Sequence, residues 1–340
     1  MRIWFDADNG PHALIMHPIL AELESRGHSV VCTARNRTRT PELLELYGIP
    51  HRIVGGEYPA GMSGKVRGTL GRAWALYREM RNEPVDVSFG HGSRALPIAS
   101  RLMNVPSVTM YDYEWVNARL FNLLCRSILL PSVITPARCA DAGIDVAKVV
   151  GYPGFKEELY LGAGTIDTTV AADLGLRADP VRVLLRPPAT TAHYHNPEAE
   201  VIFARILGQL AMSGDLQLVL LPRSPDQVEQ VRAAGIGEVI IPERVYDGPS
   251  LVAAMDVVIS GGGTMTREAA IMGVPAYSFF RGRSGMVDEA LADSGRLILL
   301  PTPDAVATNL AVRKRQGTIR MPDPTPMIRF IADSIIAAAD

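Results

Sequence analysis

Ser260-Gly261-Gly262-Gly263-Thr264-Met265-Thr266-Arg267-Glu268 is the stretch of this chain best equipped for chemistry. It follows an apolar run, Asp256-Val257-Val258-Ile259, that reads as a buried strand, and it opens a helix that stops near Gly273. Three glycines at a strand-to-helix turn let the backbone approach a ligand. The free N–H groups at the start of the helix then favour an anion such as a phosphate. Thr264 and Thr266 can cap the helix or donate to phosphate oxygens. One turn further in, the Glu268 carboxylate can accept from the two hydroxyls of a ribose. Together these parts predict a nucleotide diphosphate site; the plainer alternative is a tight turn of a kind common in α/β proteins. The first strand leads instead into Asp6-Ala7-Asp8-Asn9-Gly10-Pro11, which carries no dinucleotide-type glycine fingerprint.

Two histidines are candidate bases. His91, in Phe89-Gly90-His91-Gly92-Ser93, falls at the carboxyl end of a predicted strand, and its flanking glycines leave room around the ring. An imidazole titrates near neutral pH and can take a proton from an acceptor hydroxyl; the alternative is a ring hydrogen-bonded in a tight turn. His12 begins the first helix beside Asp6 and Asp8, where a carboxylate would hold its tautomer and raise its basicity. An Asp8/Asn9 cap with Pro11 in the first turn is equally ordinary helix initiation. His17, before Pro18, reads as structural.

Arginines recur at predicted strand ends. Arg186 closes the first strand of the second half and can clamp a diphosphate, with the loop carrying His193 folding over the sugar. Arg223 is a further phosphate or base-side candidate, and Arg281 with Arg283 form another pair. Arg35, Arg37 and Arg39 suit acceptor contact or plain solvation. His193 and His195 lack companions at metal-ligand spacing, so no metal site is expected.

The elements that must hold these residues follow from the hydrophobic pattern. The 340 residues are 47% hydrophobic and 21% charged, with a net charge of −2, which suits a two-domain globular protein and disfavours a general nucleic-acid binder. Strands at residues 2–7, 29–35, 51–54, 85–89, 107–110 and 133–135 alternate with helices. A second series lies at 181–185, 217–221, 238–241, 256–260, 274–279 and 296–300. That alternation predicts two doubly wound parallel sheets. The first domain is expected over 1–155 and the second over 165–320, with a terminal helix (325–340) returning to the first after a proline-rich connector. Ligands would then collect in a cleft at the carboxyl ends of both sets of strands. The helix near residues 65–81 sets Val66, Leu70, Trp74 and Tyr77 on one face, with Arg72, Arg78 and Arg81 elsewhere. Such a face packs in a core or touches an anionic membrane or lipid-linked acceptor. No stretch is apolar enough to span a bilayer, no secretory signal is visible, and a cytoplasmic protein is expected.

The chain resembles the GT-B architecture of nucleotide-sugar enzymes, and more closely an uncharacterised bacterial and archaeal family of GT-B-like proteins, a domain of unknown function. The resemblance spans nearly the whole chain. It rests on the opening strand with Asp6, on Pro11 to Pro18, on Gly151-Tyr152-Pro153-Gly154-Phe155-Lys156-Glu157-Glu158, on Arg186-Pro187-Pro188-Ala189-Thr190-Thr191-Ala192-His193-Tyr194-His195, and on the Ser260 to Glu268 turn. The glycosyltransferase that makes the peptidoglycan lipid precursor implies a glycine turn for the diphosphate and a Glu for the ribose, which Gly262, Gly263, Thr264 and Glu268 match. The hydrolysing UDP-N-acetylglucosamine 2-epimerase is similar along Pro11 to Pro18 and at Ser260-Gly261-Gly262, with Glu268 at the ribose position. This chain departs from the epimerase at Gly10 (an Arg there) and at His91 (an acidic residue there). Its next acidic residue falls near Tyr111, beside Asp112. The resemblance implies a UDP-sugar donor, no separate cofactor and an acceptor of unstated class. Glycosyl transfer with His91 or His12 as base is the first expectation. Epimerisation through Asp112 or Glu114, and a non-catalytic nucleotide-sugar binder, are the alternatives.

Overall fold

A computed structural model describes residues 1–37, 39–58, 61–188 and 196–340, so the loop carrying His193 lies outside the described residues. The chain forms two compact units, Met1–Ala163 with Asp323–Asp340, and Gly164–Pro322.

The first unit runs β1 (Arg2–Ala7), α1 (Pro11–Ser25), β2 (Ser29–Ala34), α2 (Thr40–Leu46), β3 (Arg52–Ile53), α3 (Gly61–Met80), β4 (Val87–His91), α4 (Ala95–Leu102), β5 (Ser107–Met110), α5 (Arg119–Leu124), β6 (Ser127–Pro131), α6 (Pro136–Asp141), β7 (Val149–Tyr152) and α7 (Lys156–Leu161). Its strands are all parallel in the order β3-β2-β1-β4-β5-β6-β7. The second unit runs α8 (Val170–Asp173), β8 (Val181–Arg186), α9 (Glu198–Ala211), β9 (Leu216–Leu220), α10 (Pro225–Ala233), β10 (Glu238–Ile240), α11 (Gly248–Ala253), β11 (Val257–Ser260), α12 (Thr264–Met272), β12 (Ala276–Ser278), α13 (Met286–Asp293), β13 (Leu297–Leu299) and α14 (Pro303–Asn309). Its parallel order is β10-β9-β8-β11-β12-β13. The terminal helix α15 (Thr325–Ala337) belongs to the first unit, as expected from the tail. It buries Met327, Ile331, Ala332 and Ile335, a helical stripe, against α1 and β7.

The central strands read as unbroken apolar runs because helices cover both faces of a parallel sheet. Val257, Val258 and Ile259 are fully buried, as are Val183, Leu184 and Leu185 on the neighbouring strand. In each unit the chain lays down three strands in one direction and then jumps back across the first. Strand order therefore reverses between β1 and β4, and between β8 and β11. In parallel sheets of this plan, ligands collect beyond the carboxyl ends of the strands at such a reversal.

The structure departs from the pattern in three places. The strand expected at 133–135 is β6, at Ser127–Pro131; Thr135 instead caps α6, its side chain accepting from the Arg138 N–H. Residues 149–152 form a seventh strand on β6. On α3 the buried face is Arg72, Ala73, Leu76 and Met80, packed on Trp4 and Ala99, whereas Val66, Leu70 and Trp74 face solvent at 52%, 54% and 56% exposure. That face is therefore not core. Among the described residues no helix is long and apolar enough to cross a membrane.

Candidate functional site

At the first reversal point, β1 delivers Asp6 into the interior, where it is fully buried. Its carboxylate accepts from Arg72 Nη1 and Nη2 at 2.8 and 2.7 Å, Ser93 Oγ at 2.7 Å and Thr33 Oγ1 at 2.7 Å. A bidentate guanidinium with two hydroxyls satisfies a buried carboxylate that would otherwise be very costly. The clamp ties α3 and the β4–α4 loop to β1. Asp8 follows, 3.3 Å from Arg72 and 3.5 Å from Arg35. Burial raises its pKa, against the pull of Arg72.

His12 sits in the first turn of α1, and its Nδ1 accepts from the Asp8 backbone N–H at 3.1 Å. The neutral ring therefore carries its proton on Nε2. His91 ends β4, its ring centroid 4.9 Å from that of His12. Burial first, then His91, Arg72 and Lys156, push the His12 pKa well below its usual value. Burial also lowers His91, to about 4, against the opposing pull of Asp112. Both imidazoles are thus neutral at physiological pH. His91 Nε2 makes no hydrogen bond among the described residues; Asp112 Oδ1 stands 3.9 Å away. The other Asp112 oxygen accepts from Lys156 Nζ at 2.7 Å, and the same ammonium donates to buried Glu157 at 2.6 Å. The result is a pair of buried neutral imidazoles, of which His91 keeps an unbonded Nε2, beside a carboxylate that an ammonium keeps in place.

Lys156 and Arg72 are members that the sequence did not single out. Lys156 enters the sequence reading only as part of Gly151 to Glu158, and Arg72 only as an arginine off the apolar face of its helix, with Arg78 and Arg81. Glu114, a proton-transfer candidate by resemblance, is fully buried and accepts from Arg138 at 3.2 Å, remote in role from an open base. Beside Asp8 a depression of about 370 Å³ is lined by Arg35, Arg37, Tyr58, Lys65 and Arg94. Arg35 stacks over Tyr58 at 3.4 Å and donates to the Gly56 carbonyl.

At the second reversal point, residues 260–263 join β11 to α12. Gly262 and Gly263 adopt φ of +103° and +110°, where a side chain is strained. Gly261 is fixed for another reason: a Cβ there would come within 2.8 Å of Pro188 Cα. Ser260 Oγ donates to the Gly262 carbonyl at 3.1 Å, and Thr266 Oγ1 to the Gly263 carbonyl at 2.8 Å. Thr266 thus braces the turn. Gly263 supplies no capping side chain, so the first N–H groups of α12, from Thr264 onward, have no side-chain cap. Arg186 ends β8 directly alongside, in register with Ser260, and its carbonyl accepts from the Gly261 N–H at 3.0 Å. Glu268 is buried on the α11 side of α12, where a Cβ on Gly248 would lie 3.3 Å from its Oε2. Arg223 donates to the Pro187 carbonyl at 3.2 Å, and Gln227 to that of Pro188, so this pair holds the proline segment against the turn. Arg281 pairs with Glu198.

Residues 1–338 match the family described as protein of unknown function DUF354. The chain belongs to that family. A curated relative, the uncharacterized protein MJ0665 of Methanocaldococcus jannaschii, is 25% identical over 339 residues, covering 96% of each chain. Among solved structures, the fold is similar to UDP-GlcNAc 2-epimerase from M. jannaschii in complex with UDP-GlcNAc and UDP (TM-score 0.70, 13% identity, 99% of both chains). It is also similar to HepE from Anabaena in complex with UDP and glucose (TM-score 0.64, 18% identity, 100% of this chain and 95% of that one). The DUF354 chain thus has the two-unit, parallel-sheet GT-B-like fold, shared with nucleotide-sugar enzymes.

Proposed function

We propose that this DUF354 protein is an enzyme that uses a nucleotide sugar, with UDP as the nucleotide, and transfers the sugar to an acceptor hydroxyl. The observation that carries it is the glycine turn. Two positive-φ glycines deliver the start of α12 to the point where strand order reverses, with Arg186 on the adjoining strand. In this reading unit 2 holds the donor: α12 N–H groups and Arg186 on the diphosphate, and Glu268 on the ribose. Arg223 acts through the proline segment it holds. UDP bound in both structural relatives supports the choice of nucleotide.

Unit 1 supplies the base. The acceptor O–H proton passes to an unprotonated imidazole nitrogen of His91 as the acceptor oxygen attacks the sugar carbon. The bond from that carbon to the diphosphate oxygen breaks, and its electron pair leaves with UDP. Preorganised N–H groups stabilise the charge that develops there. Epimerisation is the second reading, favoured by Asp112, a carboxylate 3.9 Å from His91 with an ammonium to steady it.

Calorimetry of UDP and UDP-GlcNAc on wild type and Glu268→Ala tests the site. Binding that the variant weakens at least tenfold supports it, and no binding by folded protein rejects it. Acceptor-dependent UDP release lost in His91→Ala identifies a transferase. Conversion of UDP-GlcNAc without acceptor identifies an epimerase, and binding without turnover identifies the non-catalytic binder.

The acceptor side includes a cytoplasmic membrane surface in this proposal. The exposed stripe Val66, Leu70 and Trp74 on α3 is accompanied by exposed Lys65, Arg67 and Arg78. Apolar side chains with a cationic surround match an anionic bilayer, whereas a second copy would bring like charges together. Salt-sensitive co-sedimentation with phosphatidylglycerol vesicles, abolished in Trp74→Glu, is the expected result. A concentration-dependent dimer that Trp74→Glu dissociates, with no vesicle binding, would refute it.

A further inference from the structure

At the opposite end of the second sheet from the glycine turn, the amino ends of β12 and β13 face residues 311–320 across a depression of about 580 Å³. Its lining includes Arg296, Arg313, Lys314, Arg315 and Arg320 and not one carboxylate. In a chain of net charge −2, that is a marked local excess. Exposed charge runs are ordinarily just solvated, so what matters is how these cations are used.

Two of them build the wall. Asp256, just before β11, accepts from the Arg315 backbone N–H at 3.1 Å and from Lys314 Nζ at 3.1 Å. The Arg315 guanidinium donates to the carbonyls of Met255, Ala253 and Gly317. The Arg320 N–H closes the far end on the Met272 carbonyl at 2.9 Å, and Gly317 turns the segment at φ +89°. Residues 314–320 are therefore a pinned strap. Arg313 and Arg320, at its two ends, make no side-chain hydrogen bond or ion pair among the described residues, and both are exposed. Across the depression, Arg296 is oriented by Ser294 Oγ at 3.0 Å.

We propose that this depression is a second ligand site, for a small polyanion carrying two or more phosphate charges. A single carboxylate would leave one of the two unpaired guanidiniums, Arg313 or Arg320, unmatched. Guanidinium forks suit phosphate oxygens, and the volume admits a diphosphate or bisphosphate with its organic part. The site lies away from the donor site and does not rest on the function proposed above.

Inorganic pyrophosphate is the probe. With the chain saturated in UDP, calorimetry should still find about one pyrophosphate per chain. Arg313→Ala/Arg320→Ala should weaken that binding at least tenfold and leave UDP affinity unchanged. Arg101→Ala/Arg119→Ala, which removes two exposed arginines of the other unit, should leave pyrophosphate binding unaltered. Equal weakening by both double variants would mean a general charge effect and overturn the proposal. So would unchanged binding in Arg313→Ala/Arg320→Ala, or vesicle binding through these arginines with no pyrophosphate bound. If UDP does not bind at all, the two double variants still decide the matter, because the pyrophosphate titration needs no occupied donor site.

Discussion

At the scale of single residues, His91 has an unusual protonation balance. Unfolded, it titrates near 6.5; folded, burial lowers it to about 4. Between those values the unfolded chain holds more protons than the folded one, so stability rises with pH across the window and falls as acid is added. His91 then contributes a loss of about 3 kcal/mol by pH 4. Urea titrations at pH 4.5 and 7 should show wild type losing more stability than His91→Phe. For the proposed transfer the sign is the same: His91 would accept a proton only when neutral, so kcat should fall only as pH drops toward about 4. Gly262→Ala places a Cβ 2.8 Å from Phe280 at φ +103°, and UDP affinity should fall at least tenfold with a lowered Tm. That turn was legible in the sequence because strand, glycines and helix are consecutive. Lys156 and Arg72 were not, because their partners Asp112 and Asp6 lie 44 and 66 residues away, and only the sheet brings them together. Nor did spacing disclose that the rings of His12 and His91 meet.

At the scale of elements, the Asp6–Arg72 clamp explains how a marginal helix is held. Helix α3 contains Gly64, Gly68 and Gly71 and shows solvent an apolar stripe, so its own propensity is poor. Removing one partner of a buried ion pair strands the other. Arg72→Leu should therefore cost about 3–5 kcal/mol in urea unfolding. Loss of the α6 cap in Thr135→Ala should cost about 1 kcal/mol. Periodicity showed that α3 was amphipathic but not which side faced in, because a buried arginine reads as polar in any pattern. The misplaced sixth strand has a similar cause. Two apolar runs, Ile128 to Leu130 and Val133-Ile134, flank Pro131-Ser132; the Ile134 N–H turns back onto the Pro131 carbonyl, and the Thr135 cap then opens the helix, so the strand is the first run.

At the scale of the whole molecule, the two units share a plan in which strand order reverses once and the candidate residues stand at the reversal. Alternation of strand and helix made this legible, whereas which strands become neighbours depends on crossovers no local pattern encodes. The second unit is one continuous segment, 164–322, while the first is assembled from two. Expressed alone, 164–322 should fold and bind UDP with affinity within about threefold of the full chain, measured by calorimetry. The split of the first unit also sets an order of events on the ribosome. Helix α15 is translated after the entire second unit, yet it covers apolar surface on α1 that emerges before that unit. For most of synthesis that surface waits unprotected, and the first unit cannot finish folding until the second has left the exit tunnel.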